Sequence, residues 1–262
     1  RSVTVMTVIG AIAGVIIFGV VAAGIVVSSW LSDLPDYSDL ESYTESGITT
    51  IYANDRTTVL GKITLENRID VDESEISPYV LEGTVATEDE RFYSHSGIDP
   101  VGIIRALFVN LNAGGTSEGA STITQQLVRN TVLLDEMTTR SVQRKVREMY
   151  IASKVEEQYS KDEILTMYLN VVNYGDGCYG IEAASRDYFG KSAKDLTLSE
   201  AALLIGIPQS PNANNPREHY DAALKRRTTV LNRMLSNGYI TQAEYDATIN
   251  DQPKLSSSSA KD

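Results

Sequence analysis

The sequence holds one cysteine, Cys178, and two histidines, His95 and His219. A lone thiol closes no internal disulfide, which excludes a disulfide scaffold and, with so few histidines, a Cys- or His-rich metal centre. Bases are scarce too, 23 against 35 acids for a formal charge of -12. There is no broad basic face for nucleic acid, and any anionic partner must be met locally. No internal repeat is present. Residues 3–27 lack any ionisable side chain and are filled mainly by Val, Ile, Ala and Gly. As a helix this run reaches about 37 Å, slightly more than the roughly 30 Å of bilayer hydrocarbon. Signal-peptide cores span only about 7 to 15 residues, so the run predicts an uncleaved transmembrane anchor over 1–30, with Trp30 at the interface.

What remains is an ordinary globular composition, 42% apolar and 22% charged over 262 residues. It supports one sizeable core or two small ones. Residues 31–44 are acidic and polar with Pro35, a stalk, and two β-branched runs flanking Asn54-Asp55 predict a hairpin, together filling 31–76. From Ser77 onward apolar residues recur at helical spacing, which makes 77–250 a mainly helical body. Two stretches break the pattern: 110–119, with three glycines, is expected as a mobile loop, and 208–216 carries three prolines and three asparagines. Residues 251–262 read as a linker stub.

Several segments carry chemistry. Glu88 and Asp89 open Glu88-Asp-Glu-Arg-Phe92-Tyr-Ser-His95-Ser-Gly97, which reads most simply as a helix start with acids in the first turn. Ser121-Thr-Ile-Thr-Gln125-Gln126-Leu-Val-Arg129 is too rich in hydroxyls and amides for a plain core helix, yet suits an N-cap followed by a polar face. A phosphate loop fails there, because Ala120 stands where the lysine must be. Arg140, Arg144 and Glu148 lie four residues apart on one helical face, with Lys145 three from Glu148. Alone, that is a solvated surface helix with a weak ion pair. Yet five bases against two acids between residues 129 and 147 make a local positive excess, and arginine forks suit phosphate groups.

Five blocks in order resemble the peptidoglycan glycosyltransferase domain of class A penicillin-binding proteins, also found as monofunctional transglycosylases. They are Glu88-Asp89-x-x-Phe92-x-x-His95-x-Gly97, Gly119-x-Ser-Thr-Ile-Thr-Gln-Gln126 and Arg144-Lys145-x-x-Glu148. The fourth is Ile164-Leu-x-x-Tyr168-Leu-Asn170, running into Gly175, Gly180 and Tyr188-Phe-Gly-Lys191, and the fifth is Leu198-x-Glu200-Ala-Ala-Leu-Leu-x-Gly206. The resemblance implies a mainly α fold: a lysozyme-like head and a small jaw lobe around a cleft, beside the short β-hairpin and the N-terminal transmembrane helix. It implies a single-pass protein of a bacterial cell membrane, with its catalytic domain on the extracytoplasmic face. There it would polymerise lipid II into β-1,4 glycan strands, with inversion and release of undecaprenyl diphosphate.

By the same resemblance Glu88 is the general base and Glu148 the second essential acid. Glu148 would orient the acceptor side or the basic cluster, or hold a divalent cation, Mg or Mn, near the diphosphate; the residues themselves require no cofactor. Asp89, Arg105, Ser121, Thr122, Gln125, Gln126, Arg129, Arg140, Arg144 and Lys145 are the implied substrate-binding residues. Arg129 departs from the lysine frequent in the family. Residues 110–119 would form a flap over the cleft, while Tyr168, Asn170 and the nearby glycines read as packing and turn residues. Implied partners are lipid II, the growing strand, the bilayer and phosphoglycolipid inhibitors of the moenomycin type, with other cell-wall synthesis proteins left open. A lytic enzyme and a non-catalytic scaffold are the alternatives; the first has no diphosphate for the basic cluster to bind. Ser258-Ser-Ala-Lys261 matches a penicillin-reactive spacing but sits in a serine-rich tail and reads as chance. Arg1 in place of Met, and the abrupt polar end, are what a piece of a longer chain would have.

Overall fold

A computed structural model of the chain describes residues 2–44, 48–54, 59–64, 67–113, 119–137, 139 and 141–257. Helix α1 (Ser2–Trp30) is apolar throughout, and no part of its Ile12–Trp30 window is buried. By length and composition it can cross a membrane. A single turn, α2 (Glu41–Thr44), leads to β1 (Ile48–Tyr52), which pairs antiparallel with β2 (Val59–Thr64). The expected hairpin is therefore present, although its turn at 55–58 lies outside the described residues. A further two-residue strand, β3 (Asn67–Arg68), pairs in parallel with β4 (Cys178–Tyr179).

The body is helical: α3 (Pro78–Glu88), α4 (Pro100–Ala113), α5 (Ile123–Asn130), α6 (Val142–Val155), α7 (Lys161–Val171), α8 (Ile181–Phe189), α9 (Leu198–Ile205), α10 (Tyr220–Ser236) and α11 (Gln242–Thr248). Local chemistry sets most starts. Ser160–Glu163, Thr197–Glu200 and Thr241–Glu244 are reciprocal capping boxes for α7, α9 and α11. Thr122 caps α5 by accepting from the Gln125 amide, as its hydroxyl-rich approach predicts. Expectation and structure part at residues 110–113, which continue α4 instead of opening a loop. The first of the three glycines of 110–119 is at position 114, so nothing in 110–113 breaks the helix. Residues 114–118 are outside the described set.

Helix α9 is apolar on nearly every side because it is central, and α3 and α10 pack on it while α5 packs between α6 and α7. Burying each large side chain, such as Leu203, Leu204 or Ile164, contributes about 1.5–3 kcal/mol. Two glycines allow close approaches that position the site. Gly97 (φ 79°) presses the segment after Glu88 against α6, where a Cβ would meet the Ala152 carbonyl carbon at 2.6 Å. Gly180 (φ 82°) does the same against the Asn170 carbonyl oxygen, also at 2.6 Å. Asn170 itself holds the Val71 backbone through both ends of its amide, the packing role expected of it.

One arginine joins the apolar helix to the body. Arg147 of α6 donates from Nε to the Trp30 carbonyl at 2.9 Å and from Nη2 to Asp33, while Nη1 pairs with Glu136. The carbonyls at the end of α1 thereby find a donor, and the helix that bears Arg144, Lys145 and Glu148 is tied to it.

Candidate functional site

A cleft of about 720 Å³ opens where the C-terminus of α3 meets the start of α5, walled by α4 on one side and α10 on the other. Glu88 is the last residue of α3, so the helix-start reading is corrected: its carboxylate sits at the negative end of the helix dipole, an unfavourable place for an anion. Compensation comes from outside the helix. Gln126 Nε2 donates to Glu88 Oε2 at 3.0 Å, and Arg226 Nη2 lies 3.9 Å from Oε1. Arg233 donates to the Thr87 carbonyl, satisfying an acceptor that the helix end leaves open. Burial lowers the Arg226 guanidinium below the ordinary arginine value, and Glu88 opposes that shift.

Asp89 turns away from the same chemistry. Its two oxygens meet His95 Nε2 at 3.0 and 2.9 Å, and Oδ2 accepts from the Ile123 amide at the start of α5. Both side chains are buried, so Asp89 locks the Glu88 turn onto α5 while lining the cleft. Gly97 adds to this lock, its carbonyl accepting from Thr122 Oγ1 at 2.8 Å and Gln125 Nε2 at 3.3 Å.

Beside the cleft lies a second polar cluster. Lys145 Nζ reaches Ser121 Oγ at 2.9 Å, Gln125 Oε1 at 2.7 Å and Glu148 Oε2 at 3.1 Å. Arg144 Nε lies 3.1 Å from Glu148 Oε1 and its Nη1 donates to the Met137 carbonyl. Glu148 is 0% exposed, so the solvated-face reading of this helix is corrected. A buried carboxylate with a cation against each oxygen is placed to hold those cations. Glu148 Oε1 has the Arg144 charge beside it but no hydrogen-bond partner, and among the described residues no group of three His, Cys, Asp or Glu is placed to bind a metal ion. Burial lowers the Lys145 ammonium from its ordinary value, with Glu148 pulling the other way.

The charges offered to a ligand follow from this inventory. Four acids and four arginines line the cleft. Three of the acids are engaged elsewhere: Asp89 is hydrogen-bonded to His95, Glu90 is paired with Arg105 and Asp99 with Arg91. Glu88 is left facing Arg226, while Arg129 and Arg233 have no carboxylate partner among the described residues. The floor of the cleft therefore presents one available carboxylate against a positive surround, in a chain that is negative as a whole.

Of the expected site residues, Glu88, Asp89, Arg105, Ser121, Thr122, Gln126 and Arg129 line this cleft. Gln125, Arg144, Lys145 and Glu148 stand behind Ser121, and Gln125, at 1% exposure with its amide engaged at both ends, positions Lys145. Arg140 lies outside the described residues. Sequence reasoning missed the wall formed by Arg226, Thr229 and Arg233, although their spacing on α10 marks one helical face. It also missed Tyr168, whose hydroxyl donates to Gln126 Oε1. Cys178 is buried and its thiol is pushed up to about 12, chiefly by that burial, which makes it an unreactive core residue.

The site thus combines a carboxylate with three arginines in one cleft of a helical body. Residues 56–235 match the family model described as Transglycosylase. Similar proteins include penicillin-binding protein 1A of Vibrio cholerae, 44% identical over 216 residues covering 82% of this chain and 26% of that protein. Those of Aquifex aeolicus (43% over 218 residues, 83% and 30%) and Escherichia coli (44% over 215 residues, 82% and 25%) are comparable. A crystal structure of penicillin-binding protein 1A from Haemophilus influenzae aligns with a TM-score of 0.47 at 25% identity, over 80% of this chain and 21% of that one. The chain belongs to the transglycosylase family, as a peptidoglycan glycosyltransferase domain of the class A penicillin-binding-protein type. It spans between a quarter and 30% of the length of these relatives.

Proposed function

We propose that the chain polymerises lipid II at the outer face of a bacterial membrane, with Glu88 as the general base. The observation that carries this reading is the Glu88 carboxylate, held by Gln126 in a cleft whose other acids are engaged and to which Arg129, Arg226 and Arg233 also contribute. In the reaction the acceptor sugar's 4-hydroxyl loses its proton to Glu88 as its oxygen attacks C1 of the growing strand. The α-linked C1–O bond to the diphosphate breaks, a β-1,4 bond forms with inversion, and undecaprenyl diphosphate leaves with the bonding electron pair. Arg129 and Lys145, with Arg144, are the cations that meet the charge gathering on the departing diphosphate, since preorganised positive groups favour such a transition state. No step is routed through a metal.

Two features outside the cleft support a lipid-linked substrate. The uncovered apolar helix α1 is long enough to anchor the chain. Helix α4, which gives Gly102 and Arg105 to the cleft, exposes Ile104, Leu107, Phe108 and Leu111 on the same element, at 60–72%. An apolar face of that kind beside a polar site suits contact with the bilayer in which the lipid tails lie. Incubating the purified chain with lipid II tests the reading. Detergent-soluble glycan polymer is the expected product; fragments from added glycan strands would mean a lytic enzyme, and no product a scaffold.

A further inference from the structure

Tyr168 stands in the apolar stripe of α7 with Ile164, Leu165 and Leu169, and its side chain is almost wholly buried. A phenylalanine would fill that space as well, so the hydroxyl needs a reason to be there. It donates to Gln126 Oε1 at 3.2 Å, and the other end of the same amide donates to Glu88 Oε2 at 3.0 Å. Among the described residues the hydroxyl has no other partner. Burial, and then the charge of Glu88, push Tyr168 well above the ordinary tyrosine value, so it keeps its proton and serves as a donor. A flipped amide would set Gln126 Oε1 against the carboxylate, two acceptors face to face.

Resting on the reading of Glu88 as the base, we infer that Tyr168 is a positioning residue for the reaction: through Gln126 it fixes an N–H donor on the Glu88 carboxylate. The relay runs from α7 through α5 to the end of α3, and each bond in it points its donor towards Glu88. It fixes the orientation of the carboxylate that is to accept the acceptor sugar's proton. The other charged groups facing Glu88 are independent of Tyr168. They are Arg129 from α5, Arg105 from α4 with its partner Glu90, Arg226 and Arg233 from α10, and the His95-bound Asp89. Asp99 is held by Arg91. Burial, and then the charge of Glu88, raise the Tyr174 hydroxyl above the ordinary tyrosine value.

The test is lipid II polymerisation by the full chain in detergent, measured for the wild type and Tyr168→Phe. We expect the variant to melt within a few degrees of wild type and to keep its KM. Its kcat should fall about three- to tenfold. In a Gln126→Met background, Tyr168→Phe should then lower kcat no further. An unchanged kcat, a loss confined to KM, or a further loss of kcat in the Gln126→Met background would overturn the inference. A wild-type chain that makes no polymer overturns the proposed function with it. Polymerisation by wild type and variant alike overturns the role of Tyr168 alone.

Discussion

Glu88 carries its charge at the end of α3 where the backbone least favours it, and the residues around it make sense as the correction of that misfit. Gln126 and Arg226 address the carboxylate itself, and Arg233 takes up the carbonyl of Thr87 one residue before it. Lys145 is the converse, a half-buried cation bound by three acceptors. Burial lowers its titration point, so the folded chain releases this proton earlier than a free lysine does. The sign follows: the partly desolvated charge opposes folding at neutral pH, an effect that solvent screening weakens, and that opposition fades as pH rises through the folded value. Substrate binding should move the other way. KM for lipid II is expected to rise with pH before ordinary lysines titrate, with Arg129 and Arg144 still charged; a KM that stays flat into the ordinary lysine range would contradict the role given to Lys145.

Among the elements, α5 does the most to assemble the site. Its first amide is held by Asp89, its cap Thr122 is tied to the Gly97 carbonyl, and its body supplies Gln126 and Arg129. The close seat of Gly97 on α6 makes this arrangement testable. Gly97→Ala forces a positive φ on a side chain whose Cβ would lie 2.6 Å from a backbone carbonyl carbon, and should destabilise the fold by about 1–3 kcal/mol, read as a lowered melting temperature. A melting curve that overlays wild type would mean that the segment is not pressed against α6.

Much of this was legible in the chain: the Thr122 cap, the hairpin and the apolar helix each follow from local rules that tertiary packing left intact. The end of α3 was not, because acids beside an aromatic at helical spacing ordinarily mark a helix start, and only the long-range contacts of Gln126 and Arg226 show why Glu88 ends one. Tyr168 escaped for a related reason. In an apolar stripe its ring explains its presence, and the hydroxyl acquires meaning only when α5 is docked beside it.

At the scale of the molecule, Arg147 couples two regions of opposite solvent preference. It grips Trp30 and Asp33 at the end of α1 while sitting on the helix that carries Lys145 and Glu148, so with α1 in a bilayer its depth would set the height of the cleft. Trp30 is the sequence's single tryptophan, and its emission reports that depth directly. In vesicles it should be quenched strongly by lipids brominated near the headgroups and weakly by those brominated at the chain ends; the reverse order would place the helix end away from the interface. The exposed apolar side chains of α4 belong to the same helix that gives Gly102 and Arg105 to the cleft, close to where a lipid-linked substrate would need them.

The base assignment is the claim on which the rest depends, and Glu88→Gln tests it most directly, since it keeps the shape of the side chain and removes the proton acceptor. Measured as polymer formed from lipid II by a chain that melts like wild type, activity should fall by at least about a hundredfold, the loss general-base catalysis supplies. Polymer made at the wild-type rate by that variant would contradict the account.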